Sequence, residues 1–403
     1  MSIQVTPNGE ACGAIVAGID LSNPVSSEEI AEIRKAWLEH HVLIFPKQVL
    51  TDDDLERVSL YFGEFGVDPF IKPIEGHKNI IAIQREADET SPIFADIWHT
   101  DWSFQEVPPA GTCLYSVDVP PEGGDTLYAN QHLALEKMPE DLRKRLEGKY
   151  AFHSAMMGYS KKGSYGDKDE GRSMVIEASD DALEKQAHPI IRQHPESGKE
   201  AIFGTAIAYM VGIEGMPQKE GMDLLMELQR WQVQEEFVYR HKWENNMLVI
   251  WDNRSVLHKA TGGYEGYRRE LHRTTVADDV SRWKEKPVMR NTSISEDQSE
   301  SVAKERISIS GADDIMAQLK PAVDTFGGFP NPVKMNFGTA GVFHISGKDI
   351  VREDRQADCT ISMAPEVFEL VINGDIDVMG AVMEGKVQVE GDSSIAISLQ
   401  GLF

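Results

Sequence analysis

An imidazole and a carboxylate stand two residues apart in His99-Thr-Asp101. On a strand, residues i and i+2 point to one face, so this spacing brings both side chains to two positions of one divalent metal ion. A third ligand has to come from elsewhere in the chain. The 403-residue sequence holds 12 histidines and 66 acidic residues, so one His-x-Asp match is expected by chance, and taken alone it reads as a surface pair.

A second segment changes that reading. Trp251-Asp-Asn-Arg-Ser-Val-Leu-His258 carries a histidine just past a strongly apolar run, and Arg268-Arg269 and His272-Arg273-Thr274 follow. Two histidines and one carboxylate make the facial triad of non-haem Fe(II) oxygenases, which leaves coordination positions open. An α-keto acid fills two of them, and its far carboxylate calls for a planar, bidentate cation, which is arginine rather than lysine. Arg269 begins a run, Arg269–Val276, in which Leu271, Arg273 and Thr275 share its face if the run is a strand. On its own, Arg269 reads equally as a salt-bridged surface arginine. His153, His188, His194, His241 and His272 lack a second ligand at useful spacing and read as hydrogen-bonded structural residues.

The elements that would position these groups are mostly short strands: Ile80–Ile83, Thr112–Val117, Ala201–Phe203, Met247–Trp251 and Leu271–Val276. A helix is expected over 26–41, where Ser26 and Glu29 form a capping box, followed by a buried strand ending at Pro46. Further helices are expected over Met138–Leu146 and Glu220–Trp243. Strands outnumber helices without alternating with them, so the fold class is mainly β with peripheral helices. Trp98 and Trp102 would face away from His99 and read as core, as do Phe104 and Tyr209 beside the pocket. Ser160–Ser173 is charged, glycine-rich and nearly free of apolar residues, and is a candidate lid.

The polar stretch Ser281–Ser301 divides the chain into 1–280, a linker over 281–300, and 301–403. The last part reads as α+β, with helices over Ala312–Phe326 and Ala364–Ile372 and strands at Val342–Ile345, Cys359–Met363, Val387–Val389 and Ile395–Leu399. A net charge of −26 argues against coating nucleic acid or an anionic membrane. No apolar run is long enough to span a bilayer, no signal peptide is expected at the N-terminus, and Cys12, Cys113 and Cys359 are too scattered for a disulfide framework. A cytoplasmic protein is expected.

Residues from about 10 to 280 resemble the taurine/2-oxoglutarate dioxygenase family, which includes aryloxyalkanoate and alkylsulfate dioxygenases. The resemblance is carried by GAIVAGIDLS near the start, His99-Thr-Asp101, Gly123-Gly-Asp-Thr126, WDNR with His258, and Arg268-Arg269 with Arg273, in the family's order. It implies a double-stranded β-helix (jelly-roll) in which His99, Asp101 and His258 bind Fe(II). It also implies that Arg269 pairs with the distal carboxylate of 2-oxoglutarate, that Thr126 hydrogen-bonds the same cosubstrate, and that Arg273 meets the anionic end of the substrate. O2 is the oxidant, and succinate and CO2 are released. The substrate implied is a small organic anion: a sulfonate, sulfate, phosphonate or carboxylate.

Residues 301–403 have a second resemblance, to the sterol carrier protein type 2 family, carried by Ala357–Asp392 and above all by MEGKVQVEGD. That family encloses an apolar tunnel, which Met335, Met363, Met379 and Met383 would suit as lining or as core. Many relatives continue past the position of Phe403 with a segment that helps close the tunnel. A lipid or alkyl ligand and a docking or homo-oligomerising role are therefore both open. Two other readings compete with the dioxygenase. One is a lipid-handling protein on an inert jelly-roll scaffold. The other is a zinc-dependent hydrolase, which leaves Arg269 and Thr126 unexplained.

Overall fold

The computed structural model describes residues 3–283, apart from 167, 168 and 170, and 306–391, apart from 327, 374, 377, 379, 380 and 382–385. These residues belong to two compact units, one within Met1–Asn291 and the other within Thr292–Phe403. Of the expected linker only Ser281, Arg282 and Trp283 are described; Met379, Met383 and the expected strand Ile395–Leu399 lie outside the described residues.

The first unit is built on a seven-stranded sheet. Its strands run in the order Gln4–Pro7, Ala14–Ala17, Val42–Phe45, Leu248–Asp252, Gly111–Asp118, Arg269–Val276, Ile81–Arg85. Alternation sorts its side chains. Leu43, Phe45, Cys113, Tyr115, Leu248 and Ile250 face helices Ser27–His40 and Asp52–Ser59, where Ile33, Trp37, Leu55 and Val58 complete a core. Their neighbours Val42, Ile44, Leu114, Val249, Trp251 and Leu271 face the other way. They meet Tyr128 and Tyr239 of a three-stranded sheet, Val238–His241, Thr126–Asn130, Val256–Ala260. This sandwich holds the arginines and His258. Burial of each large apolar side chain in it contributes roughly 1.5–3 kcal/mol.

The helix at Ser27 starts as the sequence reads, with Ser26 and Glu29 making both bonds of a capping box. Two expectations do not hold. The helix expected over Glu220–Trp243 spans Gln218–Gln232, and Val238–His241 is instead a strand paired with Thr126–Asn130. There Tyr239 and His241 are buried and Arg240 is exposed, a period of two that pairing rewards and that the preceding leucine stripe masked. Nor does His99-Thr-Asp101 lie on a strand. His99 sits in an isolated bridge to His258 and the chain turns from Asp101 onward.

The second unit has a five-stranded sheet in the order Asp349–Val351, Val342–Gly347, Phe329–Asn336, Cys359–Met363, Val387–Gly391, with helices Ala312–Phe326 and Pro365–Ile372. Phe329–Asn336 and Cys359–Met363 pair in parallel; the other neighbours are antiparallel. Ile315, Leu319, Phe343, Ile361 and Phe368 form its core, in which Met335 and Met363 are also buried. The sequence reading missed the strand at 329–336 because Pro330 and Pro332 interrupt its pattern. The structure accommodates them with a register shift between Phe329 and Val333.

Candidate metal and cosubstrate site

His99 and His258 meet through their backbones. His99 N donates to His258 O at 3.0 Å and His258 N donates to His99 O at 2.7 Å. This reciprocal pair sets the two imidazoles side by side, with ring centroids 4.2 Å apart. Asp101 enters from the turn that follows, and its Oδ1 lies 3.9 Å from His99 Nε2 and 3.8 Å from His258 Nε2. Those separations are too long for hydrogen bonds, and donor atoms of the three residues lie within 4.8 Å of one another. A first-row divalent ion fits such a nitrogen–nitrogen–oxygen set.

The surroundings prepare each donor. His99 Nδ1 is 2.7 Å from the Ile97 carbonyl, so the ring donates there and leaves Nε2 with its lone pair toward Asp101. Burial holds both histidines below their usual pKa, His258 well below it, with His99 adding to the effect there and Asp101 opposing it in both. They are neutral at pH 7, as ligation requires. Burial works against the ionisation of Asp101, but the Arg273 guanidinium leads the groups that outweigh it, with the Thr112 hydrogen bond acting in the same direction, and the carboxyl is held low. Asp101 Oδ2 accepts from Thr112 Oγ1 at 2.6 Å; Thr112 accepts from Asn253 Nδ2 at 3.0 Å; Asn253 Oδ1 accepts from Trp251 Nε1 at 2.8 Å.

That relay gives the Trp251-Asp-Asn-Arg motif a physical role. The neighbouring Asp252 is fully buried and accepts from Arg254 and from His194 Nε2, at 2.9 Å, while Arg254 also pairs with Glu196 and Asp278. The network fixes the turn between Leu248–Asp252 and Val256–Ala260, and so the position of His258.

Arg269 is buried on the strand Arg269–Val276, and among the described residues no carboxylate forms an ion pair with it. Its Nη2 donates to the Gly124 carbonyl at 3.1 Å, its guanidinium stands 5.8 Å from the Tyr264 ring, and its Nε has no hydrogen-bond partner. Gly124 has φ +67° and a Cβ there would sit 2.9 Å from Arg269 Nε, so the Gly-Gly turn makes the room this side chain occupies. Burial depresses the guanidinium's pKa, with Tyr264 working the other way. Asp125 also acts on the guanidinium from beyond ion-pair distance; a buried arginine with no ion-pair partner is costly, and an anionic ligand removes the cost.

Thr126 starts the strand beside His258 and accepts from Trp243 Nε1 at 3.0 Å, which leaves its hydroxyl proton to donate. Tyr128, two residues on and opposite His258, is fully buried with its hydroxyl unpartnered; sequence reasoning missed it because it reads as core.

Arg273 has partners. Its Nη1 is 3.2 Å from Asp101 Oδ1, its Nη2 pairs with Asp68, and Trp102 lies beneath it at 5.1 Å. Trp102 is buried as expected, although with φ +48° in a turn rather than on a strand, and Trp98 is half-buried against Ala129, Ala206 and Leu257. Phe104 and Tyr209 pack with ring centroids 5.0 Å apart, and Tyr209 meets His99 edge-on at 6.4 Å.

The five histidines read from the sequence as structural have hydrogen-bond partners outside the triad: His153 with Ser103, His188 with the Gln105 carbonyl, His194 with Asp252, His241 with Tyr239 and His272 with Asp52. In the candidate lid, Ser160 donates to the Met156 carbonyl at 2.6 Å and Ser173 N donates to Glu89 at 2.9 Å, so both ends are tied down. A second trio, exposed Asp53 with half-buried Glu56 and His77, also brings donors close together, on the helix side of the large sheet.

Residues 4–275 match the family described as taurine catabolism dioxygenase TauD, TfdA family, and residues 338–403 match the SCP-2 sterol transfer family. The chain is 36% identical over 296 residues to the alpha-ketoglutarate-dependent 2,4-dichlorophenoxyacetate dioxygenase of Cupriavidus pinatubonensis, covering 70% of this chain and 99% of that one. It is 32% identical over 273 residues to an alkylsulfatase of Acinetobacter baylyi, covering 67% and 83%. A crystal structure of a taurine dioxygenase from Burkholderia xenovorans superposes with a TM-score of 0.57 at 30% identity, over 72% of this chain and 93% of that one.

Proposed function

The chain belongs to the TauD, TfdA family of dioxygenases, and on that footing we propose that His99, Asp101 and His258 hold Fe(II) for a 2-oxoglutarate-dependent hydroxylation of a small organic molecule. In this reading Arg269 binds the distal carboxylate of 2-oxoglutarate and Thr126 donates its hydroxyl proton to the same cosubstrate. Iron bound there supplies the activation of O2, coupled to decarboxylation of 2-oxoglutarate to succinate and CO2. Hydroxylation at a carbon bearing a heteroatom would also cleave the product.

The observation that carries the proposal is Arg269. A metal site alone would fit a zinc hydrolase, but such an enzyme has no use for a buried guanidinium without an acid beside it. The chain's own contributions are geometric and electrostatic. The Ile97 carbonyl orients His99, Thr112 orients Asp101, burial keeps both imidazoles neutral, and Phe104, Tyr209 and Trp102 pack as apolar surroundings beside the triad. Anaerobic addition of Fe(II) and 2-oxoglutarate is expected to give a weak visible charge-transfer band, lost in His99→Ala. No band in the unaltered protein would remove the proposal.

The relatives' names include an aryloxyacetate and alkyl sulfates, and they support the expected small anionic substrate. The partners of Arg273 do not. Around this catalytic part we assign 1–280 to the jelly-roll and 301–403 to the sterol-carrier-like domain. The match over 338–403 supports an alkyl or lipid ligand for the latter. No helix among the described residues is long and apolar enough to cross a membrane, and three buried free thiols, Cys12, Cys113 and Cys359, support a cytoplasmic location.

A further inference from the structure

Asp68 changes what Arg273 can recognise. Its side chain is about one-tenth exposed and accepts from Arg273 Nη2, from Trp102 Nε1 at 2.8 Å and from Thr275 Oγ1 at 3.3 Å. The segment that carries it is pinned to the end of the arginine strand: Gly66 N donates to Thr275 O at 2.8 Å, and Phe65 bridges to Val276. Asp68 is thus a fixed neighbour of Arg273. Arg273, also buried, spends its second amino group on Asp101. Only its Nε is without a partner.

We propose that Asp68 neutralises Arg273, and that the substrate group received beside Arg273 is an uncharged hydrogen-bond acceptor, such as an ether or carbonyl oxygen, on an apolar or aromatic body. The inference rests on the dioxygenase reading and names the substrate class of that site. A carboxylate, sulfonate or sulfate would have to displace Asp68 from three donors, or enter as a further negative charge between Asp68 and Asp101. Nε is the one nitrogen without a partner, so the two-pronged grip that an anion takes from a free guanidinium would have to share a nitrogen already bonded to Asp68 or Asp101. Charge leads to the same conclusion. Asp68 and Asp101 balance Arg269 and Arg273, and a divalent ion balances a dicarboxylate cosubstrate, so the loaded site is neutral before substrate arrives. The packing around it is aromatic: Phe70 and Tyr159 stack at 5.0 Å, and Phe104 and Tyr209 continue the cluster to His99.

Calorimetric titration of the full-length protein, loaded anaerobically with Fe(II) and 2-oxoglutarate, tests this with two probes of one shape, 2-phenoxyethanol and phenoxyacetate. The unaltered protein is expected to bind the alcohol at least tenfold more tightly. Asp68→Asn should raise the affinity for phenoxyacetate at least tenfold, and Asp68→Glu should not. Tighter binding of phenoxyacetate by the unaltered protein would overturn the inference. So would the absence of a gain in Asp68→Asn, with undetectable binding counted as no gain. The charge-transfer band of each loaded sample shows that the site has formed, and Asp68→Ser replaces the asparagine variant if that variant lacks it. A missing band in the unaltered protein sinks the dioxygenase reading itself, whereas a normal band with an anion preference sinks only the neutral substrate.

Discussion

Thr112 Oγ1 donates a 2.6 Å hydrogen bond to Asp101 Oδ2, and Asp101 Oδ1 is the oxygen that faces the two imidazoles. This hydroxyl, together with Arg273 Nη1 on Oδ1, sets which carboxylate oxygen is presented to a metal. Thr112→Val keeps the shape and removes the donor. Metal affinity, read by Co(II) titration of the apoprotein, is expected to fall roughly 10- to 100-fold, the usual effect of losing a ligand's outer partner. Asn253→Ala, one bond further out, should weaken it less. Unchanged Co(II) affinity in Thr112→Val would show that Asp101 is oriented by something else.

Arg269 offers a test in which function and stability move in opposite directions. Arg269→Met is expected to cost roughly 2–4 kcal/mol in 2-oxoglutarate binding, seen as a raised KM in succinate release. Without 2-oxoglutarate the same variant should be no less stable to heat, because a buried charge lacking a counter-ion has been replaced by an apolar chain of similar length. Arg254→Met is the contrast. That arginine binds Asp252, Glu196 and Asp278, and its loss leaves buried carboxylates uncompensated, for roughly 3–5 kcal/mol of destabilisation. A large loss of stability in Arg269→Met would mean that the arginine has a structural partner.

The parts of this arrangement that the sequence reveals are those written in residue type and period. Short apolar runs marked strands at Thr112–Val117, Met247–Trp251 and Arg269–Val276, within a residue of those observed at 111–118, 248–252 and 269–276, and the period of two in the last put Arg269, Leu271 and Arg273 on one face. The triad was legible as chemistry, but its geometry was not. His99 and Asp101 converge through a bridge to His258 and a turn, which no local period encodes. Asp68 was invisible for a related reason. A lone aspartate before a proline reads as a turn, and only the pairing of Gly66 with Thr275 brings it to Arg273.

Acid should unfold the first unit by protonating histidines that it buries as neutral rings. Burial depresses His41 and His241 from 6.5 to about 3 and His188 to about 4, with His132 also lowering His41 and the Gln105 carbonyl opposing the shift in His188. Between those values and 6.5 the unfolded chain binds more protons than the folded one, so stability falls as the pH falls through that window. At pH 5 each ring gives up as much as about 2 kcal/mol relative to pH 7. All seven tryptophans precede residue 284, so their fluorescence in urea follows this unit. The midpoint is expected to drop between pH 7 and pH 5, with a shallower slope in His241→Gln. A midpoint independent of pH over that range would show the rings to be charged or exposed.

Gly124 and Gly9 separate strain from steric exclusion. Both have left-handed backbones, φ +67° and +81°, so alanine at either position should cost about 1–2 kcal/mol of stability. Around Gly9 a Cβ meets nothing within 4 Å, whereas at Gly124 it would press on Arg269 Nε at 2.9 Å and on Tyr264 at 3.3 Å. The guanidinium must then shift away from the turn carbonyl that holds it. Gly124→Ala is therefore expected to raise the KM for 2-oxoglutarate about tenfold, ~1.4 kcal/mol, with Co(II) affinity unchanged. Gly9→Ala should alter neither. Equal KM values in the two variants would mean that the space over Gly124 does not set the position of Arg269, and that the guanidinium is aimed by the Tyr264 ring alone.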